Sequence, residues 1–179
     1  WAEPESDHRH LPLVRTEIEL KDQPVRARLY LTALGLVEAE INGAKVGNDA
    51  LIPGWTNYEQ RVEMWTYDVT ENLSAGTNAM GFWLGDGWYR GRLGFDGGYA
   101  NYYGDRIGVF AQLEVEYADG STDAVYSNSW DRRWKTTLGP IVCSDLCEGE
   151  RYDARFEMPG WSKPGFDDSD WKPVAEVFY

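Results

Sequence analysis

Residues 107–126 read IGVFAQLEVEYADGSTDAVY. Ile107, Val109, Ala111, Leu113, Val115 and Tyr117 recur at every second position over eleven residues, with Gln112, Glu114 and Glu116 between the later ones. That is the period of a strand with one face in a core and one in water. Ala118-Asp119-Gly120-Ser121 then supplies a turn before a second short run, Thr122–Tyr126. Working outward, the same pattern returns. Val25, Ala27, Leu29 and Leu31 alternate with Arg26, Arg28 and Tyr30; Val37, Ala39 and Ile41 alternate with Glu38 and Glu40. The latter run enters Asn42-Gly43, a dipeptide suited to the positive φ angles of a two-residue hairpin turn. Shorter strands are predicted at Leu13–Leu20, Val62–Asp68, Asn78–Leu84 and Trp134–Thr137. No stretch sustains a 3.6-residue period; a turn or two of helix is expected near Val69–Ser74, ended by Gly76. Strands separated by turns rather than by helices predict an all-β antiparallel sandwich or barrel.

Two segments break the alternation, Gly47–Tyr58 and Gly85–Arg106. The second packs seven glycines and six aromatic residues into 22 positions. A loop of that length inside a compact domain is either disordered or functional, and its aromatic load favours function. Toward the C-terminus, Asp145–Asp170 carries eight carboxylates against three basic residues, with Pro159-Gly160 and Pro164-Gly165 as breakers. It reads as an acidic connecting segment that leaves the sandwich. The expected division is a linker over 1–14, a single β-sandwich domain over 15–150 and a connecting segment over 151–179 toward a following module.

The chain has 179 residues, a length for one domain with a real core. Its formal net charge of −13 makes phosphate backbones and anionic lipid surfaces poor partners, so neither nucleic acid nor a membrane is expected to bind. No apolar run has the length of a membrane-spanning helix, and the stretch WAEPESDHRH lacks a secretion-signal pattern. The nine tryptophans and eleven tyrosines suit either sugar recognition or the packing of a sandwich core. Cys143 and Cys147, four apart, are either a short disulfide loop or two independent thiols, and with His8 and His10 they make a weak zinc set.

Catalysis by the chain itself is not expected. There is no G-x-S-x-G elbow, no H-E-x-x-H and nothing that singles out a facing pair of carboxylates. Gly85-Asp86-Gly87 lacks the Lys-Ser/Thr ending of a phosphate loop, and no helix is expected after it. A hard cation fits better, because calcium takes oxygens from Asp, Asn and loop carbonyls at flexible spacing. The two loops offer Asn48 and Asp49 in one, and Asp96, Asn101 and Asp105 in the other. The plainer alternative makes Asn48-Asp49 a turn and pairs Asp105 with Arg106 or Arg90.

Three strings, LGLVEAEINGAKVGNDALIPGWTNYEQRVEMWTYDVTENL, NAMGFWLGDGWYRGRLGF and NYYGDRIGVFAQLEVEYADGS, occur in this order. Together with GERYDARFEMPGWSKPGFDDSDWKPV they make the chain resemble the N-terminal domain of bacterial α-L-rhamnosidases of glycoside hydrolase family 78 from about Arg15 to Val174. The resemblance implies a jelly-roll β-sandwich. It also implies similarity to carbohydrate-binding module family 67, in which loop-bound calcium ligates L-rhamnose hydroxyls directly. The metal set implied is Asn48, Asp49 and Asn101, with the Gly104 carbonyl and Asp105 as lesser members. The order Asn48-Asp49 differs from the Asp-Asn order of binding members, so the charge would reach the ion from the neighbouring position. Sugar contacts implied are Asn48, Asp49, Asn101, Trp88, Tyr89, Tyr99, Tyr102 and Tyr103, with Trp55 close by. The family's catalytic acid and base belong to a separate helical barrel that has no counterpart here. The expectation is therefore a non-catalytic, calcium-dependent module binding L-rhamnose or a rhamnose-containing polysaccharide, alongside other modules of a secreted, periplasmic or cell-surface enzyme. The alternative is an accessory domain of such an enzyme that is structural and binds no sugar.

Overall fold

The computed structural model describes residues 10–96, 98–128, 130 and 133–177. Two antiparallel sheets face each other. One orders its strands β12-β9-β1-β6-β3-β4, the other β5-β2-β7-β8. The first comprises β1 (Pro12–Leu20), β3 (Leu36–Ile41), β4 (Ala44–Lys45), β6 (Gly76–Gly85), β9 (Lys135–Leu138) and β12 (Lys172–Pro173). The second comprises β2 (Pro24–Leu34), β5 (Trp65–Asp68), β7 (Gly108–Tyr117) and β8 (Thr122–Tyr126). A separate hairpin joins β10 (Ile141–Asp145) to β11 (Gly149–Tyr152). The chain passes from one sheet to the other at β1–β2, β2–β3, β4–β5, β5–β6, β6–β7 and β8–β9, the winding of a jelly-roll sandwich.

Alternation decides which residues meet between the sheets. Ala27, Leu29, Leu31 and Ala33 of β2 and Ala111, Leu113, Val115 and Tyr117 of β7 are buried against Val37, Ala39 and Ile41 of β3 and Met80, Phe82 and Leu84 of β6. Arg26 and Arg28 stand opposite Glu116 and Glu114 on the outer face, and Arg26 pairs with Glu116 at 3.0 Å. Val25 departs from its expected place. A register shift between Pro24 and Arg26 turns it outward, 57% exposed, because the bulge inserts one residue into the alternation. Asn42 and Gly43 take φ of 54° and 82°, the hairpin turn that their sequence predicts. The helical candidate at Val69–Ser74 is a single 3₁₀ turn, Thr70–Asn72.

Both ends of the expected division change. Strand β1 begins at Pro12, so part of the presumed linker is in the sheet, while residues 1–9, including His8, lie outside the described residues. The segment after 150 folds back instead of leading away. Trp161 and Trp171 are buried with Leu13, and Trp83, Met158 and Phe166 pack around them on the outer face of the larger sheet. Gly81 makes this possible, since a Cβ there would stand 2.5 Å from the Trp161 ring. Strand β12 then pairs with β9. The physical cause is the segment's apolar content: its indoles have an open sheet face to cover, and its carboxylates have cations to meet.

Arg15 is the principal one. It points from β1 into this outer layer and is 1% exposed. Its guanidinium donates to the Trp161 carbonyl at 2.9 Å and to Glu17 at 2.7 Å, and it pairs with Asp168. Asp168 also takes Lys135 at 2.6 Å. A buried charge this fully bonded avoids the penalty of an unpaired one. Among the described residues no helix is long and apolar enough to cross a membrane.

Candidate functional site

Gly47–Tyr58 and Gly85–Arg106 meet through their rings. Trp55 lies flat on Trp88, centroids 5.2 Å apart and planes 12° from parallel. The Trp55 indole N–H donates to the Tyr103 hydroxyl at 3.1 Å. Behind them Tyr58 meets Tyr103 edge-on at 4.9 Å and Tyr89 at 5.2 Å, while Tyr102 stands edge-on to Tyr103 at 4.8 Å. Tyr58 and Tyr89 are buried and form the base. Trp55 and Tyr102, 55% and 68% exposed, present the outer surface. Tyr99 is exposed too.

Local chain geometry builds this surface. After β6 the backbone makes one helical turn, Gly87–Arg90, which the sequence did not announce. Arg90 pairs with Asp86, a carboxylate at 0% exposure, and not with Asp105 as the plainer sequence alternative had it. Leu93 and Tyr99 exchange two backbone hydrogen bonds, at 3.0 and 2.8 Å, closing a small hairpin inside the loop. Asn101, at φ 61°, returns the chain by donating its N–H to the Arg90 carbonyl at 2.9 Å. Gly104 then passes over Tyr89 so closely that a Cβ would fall 2.2 Å from its hydroxyl. Only glycine permits that approach.

Burial of Tyr58 has an electrostatic consequence. Its hydroxyl meets no hydrogen-bond partner among the described residues. Loss of solvent, with Tyr103 and Glu63 nearby, pushes its ionisation up to about 12. Tyr67 on β5 is likewise raised to about 12, by burial and by the hydrogen bond it donates to Asp49 Oδ2 at 3.1 Å.

The expected metal ligands are less assembled than the rings. Asp49 is half-buried and held by Tyr67; Asn48, Asn101 and Asp105 are exposed. Among the described residues no hydrogen bond joins Asn48 or Asp49 to Asn101 or Asp105, and no three His, Cys, Asp or Glu side chains converge as a metal cluster. The chemistry of the set nevertheless suits a hard cation: every donor is oxygen, and among the described residues no hydrogen bond engages Asp49 Oδ1 or the side-chain amides of Asn48 and Asn101. Asp96 is exposed at the tip of the small hairpin, with φ 54°. Cys143 and Cys147 are free thiols, one buried and one exposed. His10 meets the Gly139 carbonyl, which occupies it away from the cysteines. An apolar cleft of about 650 Å³ between the sheets, lined by Val14, Leu84, Trp134 and Val174, shares no residue with the aromatic cluster.

Residues that sequence reading passed over are Tyr58, Asp86, which pairs with Arg90, and Asp145, a buried carboxylate that accepts the Arg92 N–H at the base of the second loop. Tyr58 had a usable signal, an aromatic residue closing the first loop. The two aspartates had none that set them apart from the 30 acidic residues of the chain.

Comparison with known proteins concerns the chain as a whole. The family model described as the alpha-L-rhamnosidase N-terminal domain matches residues 22–178, which takes in the segment that folds back over the larger sheet. An α-L-rhamnosidase of Streptomyces avermitilis is 49% identical over 162 residues, covering 90% of this chain and 15% of its own length. The crystal structure of native α-L-rhamnosidase from Aspergillus terreus superposes with a TM-score of 0.91 at 45% identity, over 99% of this chain and 20% of that one. The Streptomyces avermitilis enzyme complexed with L-rhamnose gives 0.85 at 46% identity, over 92% of this chain and 16% of that one. The chain thus spans a fifth or less of the length of these relatives.

Proposed function

The chain belongs to the family of α-L-rhamnosidase N-terminal domains, and from that premise we propose that it is a non-catalytic sugar-binding module that recognises L-rhamnose, or rhamnose in a polysaccharide, with the help of calcium. The observation that carries this reading is the stack of Trp55 on Trp88, with Tyr102 and Tyr103 beside it, four rings that take no part in the core between the sheets. Flat, partly exposed rings suit the apolar face and methyl group of a deoxy sugar. Trp88, Tyr99, Tyr102 and Tyr103 are the proposed contacts, Trp55 joins them, and Tyr89 supports from below because it is buried.

Asp49 would supply the charged oxygen for the ion, Asn48 and Asn101 neutral ones, and the Gly104 carbonyl and Asp105 the remainder. Bound there, calcium supplies oxygen affinity for sugar hydroxyls. The residues of the chain set the direction: Tyr67 holds one Asp49 oxygen at 3.1 Å and so aims the other. The parent activity would be α-L-rhamnoside hydrolysis by a further part of the protein, in an extracellular or periplasmic setting. A structural role without sugar binding is the second reading, favoured by the absence of three converging acidic side chains among the described residues.

Calorimetric titration of metal-free protein with L-rhamnose, without and then with calcium, separates the readings. Heat only with calcium supports the proposal. Heat in neither case supports the structural role, and equal heat in both overturns the part assigned to calcium. A single sugar offers few contacts, so dissociation constants of about a micromolar to a millimolar are expected.

A further inference from the structure

The loop Gly85–Arg106 carries most of the proposed sugar contacts, yet its own sheet holds only its first residue. Its base is gripped by a separate element, the β10–β11 hairpin. Asp145, the last residue of β10, is 5% exposed. Its Oδ2 accepts the backbone N–H of Arg92 at 2.7 Å. Its Oδ1 accepts the N–H groups of Cys147 at 2.7 Å and Glu148 at 3.2 Å in the hairpin's own turn. The same turn holds Arg92 twice more. Glu148 pairs with its guanidinium at 2.5 Å, and the Cys147 thiol lies 3.7 Å from its carbonyl. The adjoining Gly91 runs so close that a Cβ would stand 3.0 Å from Asp145 Oδ2.

From Arg92 the constraint passes directly into the binding surface. Leu93, the next residue, exchanges hydrogen bonds with Tyr99, and Arg90, two before, accepts from Asn101. Tyr102 and Tyr103 follow at once. We propose that Asp145 is a positioning residue for the sugar-binding loop: one buried carboxylate, shared between the hairpin turn and Arg92, fixes where Tyr99, Asn101, Tyr102 and Tyr103 stand. The physical basis is that a buried carboxylate must have its oxygens filled by N–H donors, and bonds to a charged acceptor are about twice as strong as neutral ones. The consequence for sugar affinity rests on the function proposed above; the consequence for loop order does not.

Asp145→Asn tests this, because its amide nitrogen replaces one acceptor and cannot receive the N–H that the carboxylate oxygen took. Amide hydrogen exchange of the full chain is expected to quicken by about tenfold in 87–103, while β2 and β7 stay protected. L-rhamnose affinity in calcium buffer should fall by about the same factor. Ile18→Val, a core variant that lowers the melting temperature without touching the hairpin, should change neither the loop exchange nor the affinity. Unchanged exchange in 87–103 overturns the proposal, as does equal loosening of the loop in Ile18→Val. If the wild-type chain gives no heat with rhamnose, the proposed function fails, and the exchange comparison still decides the positioning role. Should Asp145→Asn not fold, Glu148→Gln, which loosens Arg92 from the same turn, is expected to show a smaller increase over the same residues; no increase there overturns the proposal.

Discussion

Trp55 and Trp88 come from different loops and lie face to face, 5.2 Å between ring centres and 12° from parallel. Each therefore holds the other in place, and neither contributes to the core between the sheets. Trp55→Ala and Trp88→Ala are each expected to lower L-rhamnose affinity by about tenfold or more. Melting temperature should move by only a few degrees in either variant, as surface rings cost the fold little. Calorimetry with a parallel thermal melt reads both quantities. Full affinity in both variants would show that the stack is not the sugar platform.

Charge orders the expected effects at the ion. Asp49→Ala removes the formal negative charge, whereas Asn48→Ala and Asn101→Ala each remove a neutral oxygen. Calcium titration should rank Asp49→Ala as the most damaging, with rhamnose affinity falling in parallel. A chelator should abolish sugar binding and leave the circular dichroism of the sandwich unchanged. Wild-type rhamnose affinity in Asp49→Ala would remove this residue from the site.

Beneath the folded-back segment, Arg15 depends on Asp168. Asp168→Ala would leave a guanidinium at 1% exposure without its principal counter-ion. Glu17 remains paired at 2.7 Å, so the loss is that of one charged hydrogen-bond partner, roughly 1.5–3 kcal/mol. Denaturant unfolding should register a loss of that order, and the loosened segment should expose the Trp161 and Trp171 fluorescence to quenchers. A loss below about 1 kcal/mol, the worth of an exposed pair, would contradict the buried role.

Strong alkali should find three tyrosines resistant. Tyr58, Tyr67 and Tyr117 are raised from 10.0 to about 12, burial being the largest cause in each. An unfolded phenol ionises near 10.0 and a folded one near 12, so their contribution is complete below pH 10 and is lost as pH rises through 12. Spectrophotometric titration should leave at least these three of the eleven tyrosines un-ionised until the chain unfolds in that window. Tyr58→Phe removes a buried hydroxyl that has no partner among the described residues, and stability near neutral pH should hold or rise.

Sequence made the inner layer of this fold legible because burial there follows period two. The runs in β2, β3 and β7 state which side chains face inward, and the Asn42-Gly43 hairpin states its own turn. The same rule failed at Val25, where one inserted residue reverses the face. It also failed at the folded-back segment, whose Trp161 and Trp171 sit among Pro, Gly and Asp with no period at all. Their burial depends on Gly81 of a distant strand, and no local pattern encodes that. For the candidate site, composition marked the two loops and most of the rings. It did not distinguish the buried Tyr89 from the exposed Tyr102, nor pick out Asp145, because both follow from which loop crosses which hairpin.

The roof over the larger sheet has a practical corollary for anyone who would transplant this unit. With Trp161 seated on Gly81 and Lys172–Pro173 paired to β9, a cut at 150 would uncover Leu13, Trp83 and the buried Arg15 on the outer face of the larger sheet and invite aggregation. A fusion must carry the chain through Pro173 at least. It then has one broad flank already sealed and, on β2 and β7, another armoured with Arg26, Arg28, Glu114 and Glu116. Neighbouring modules would meet charged pairs on that flank, interrupted by the exposed Val25 and Phe110, and exposed rings at the loops.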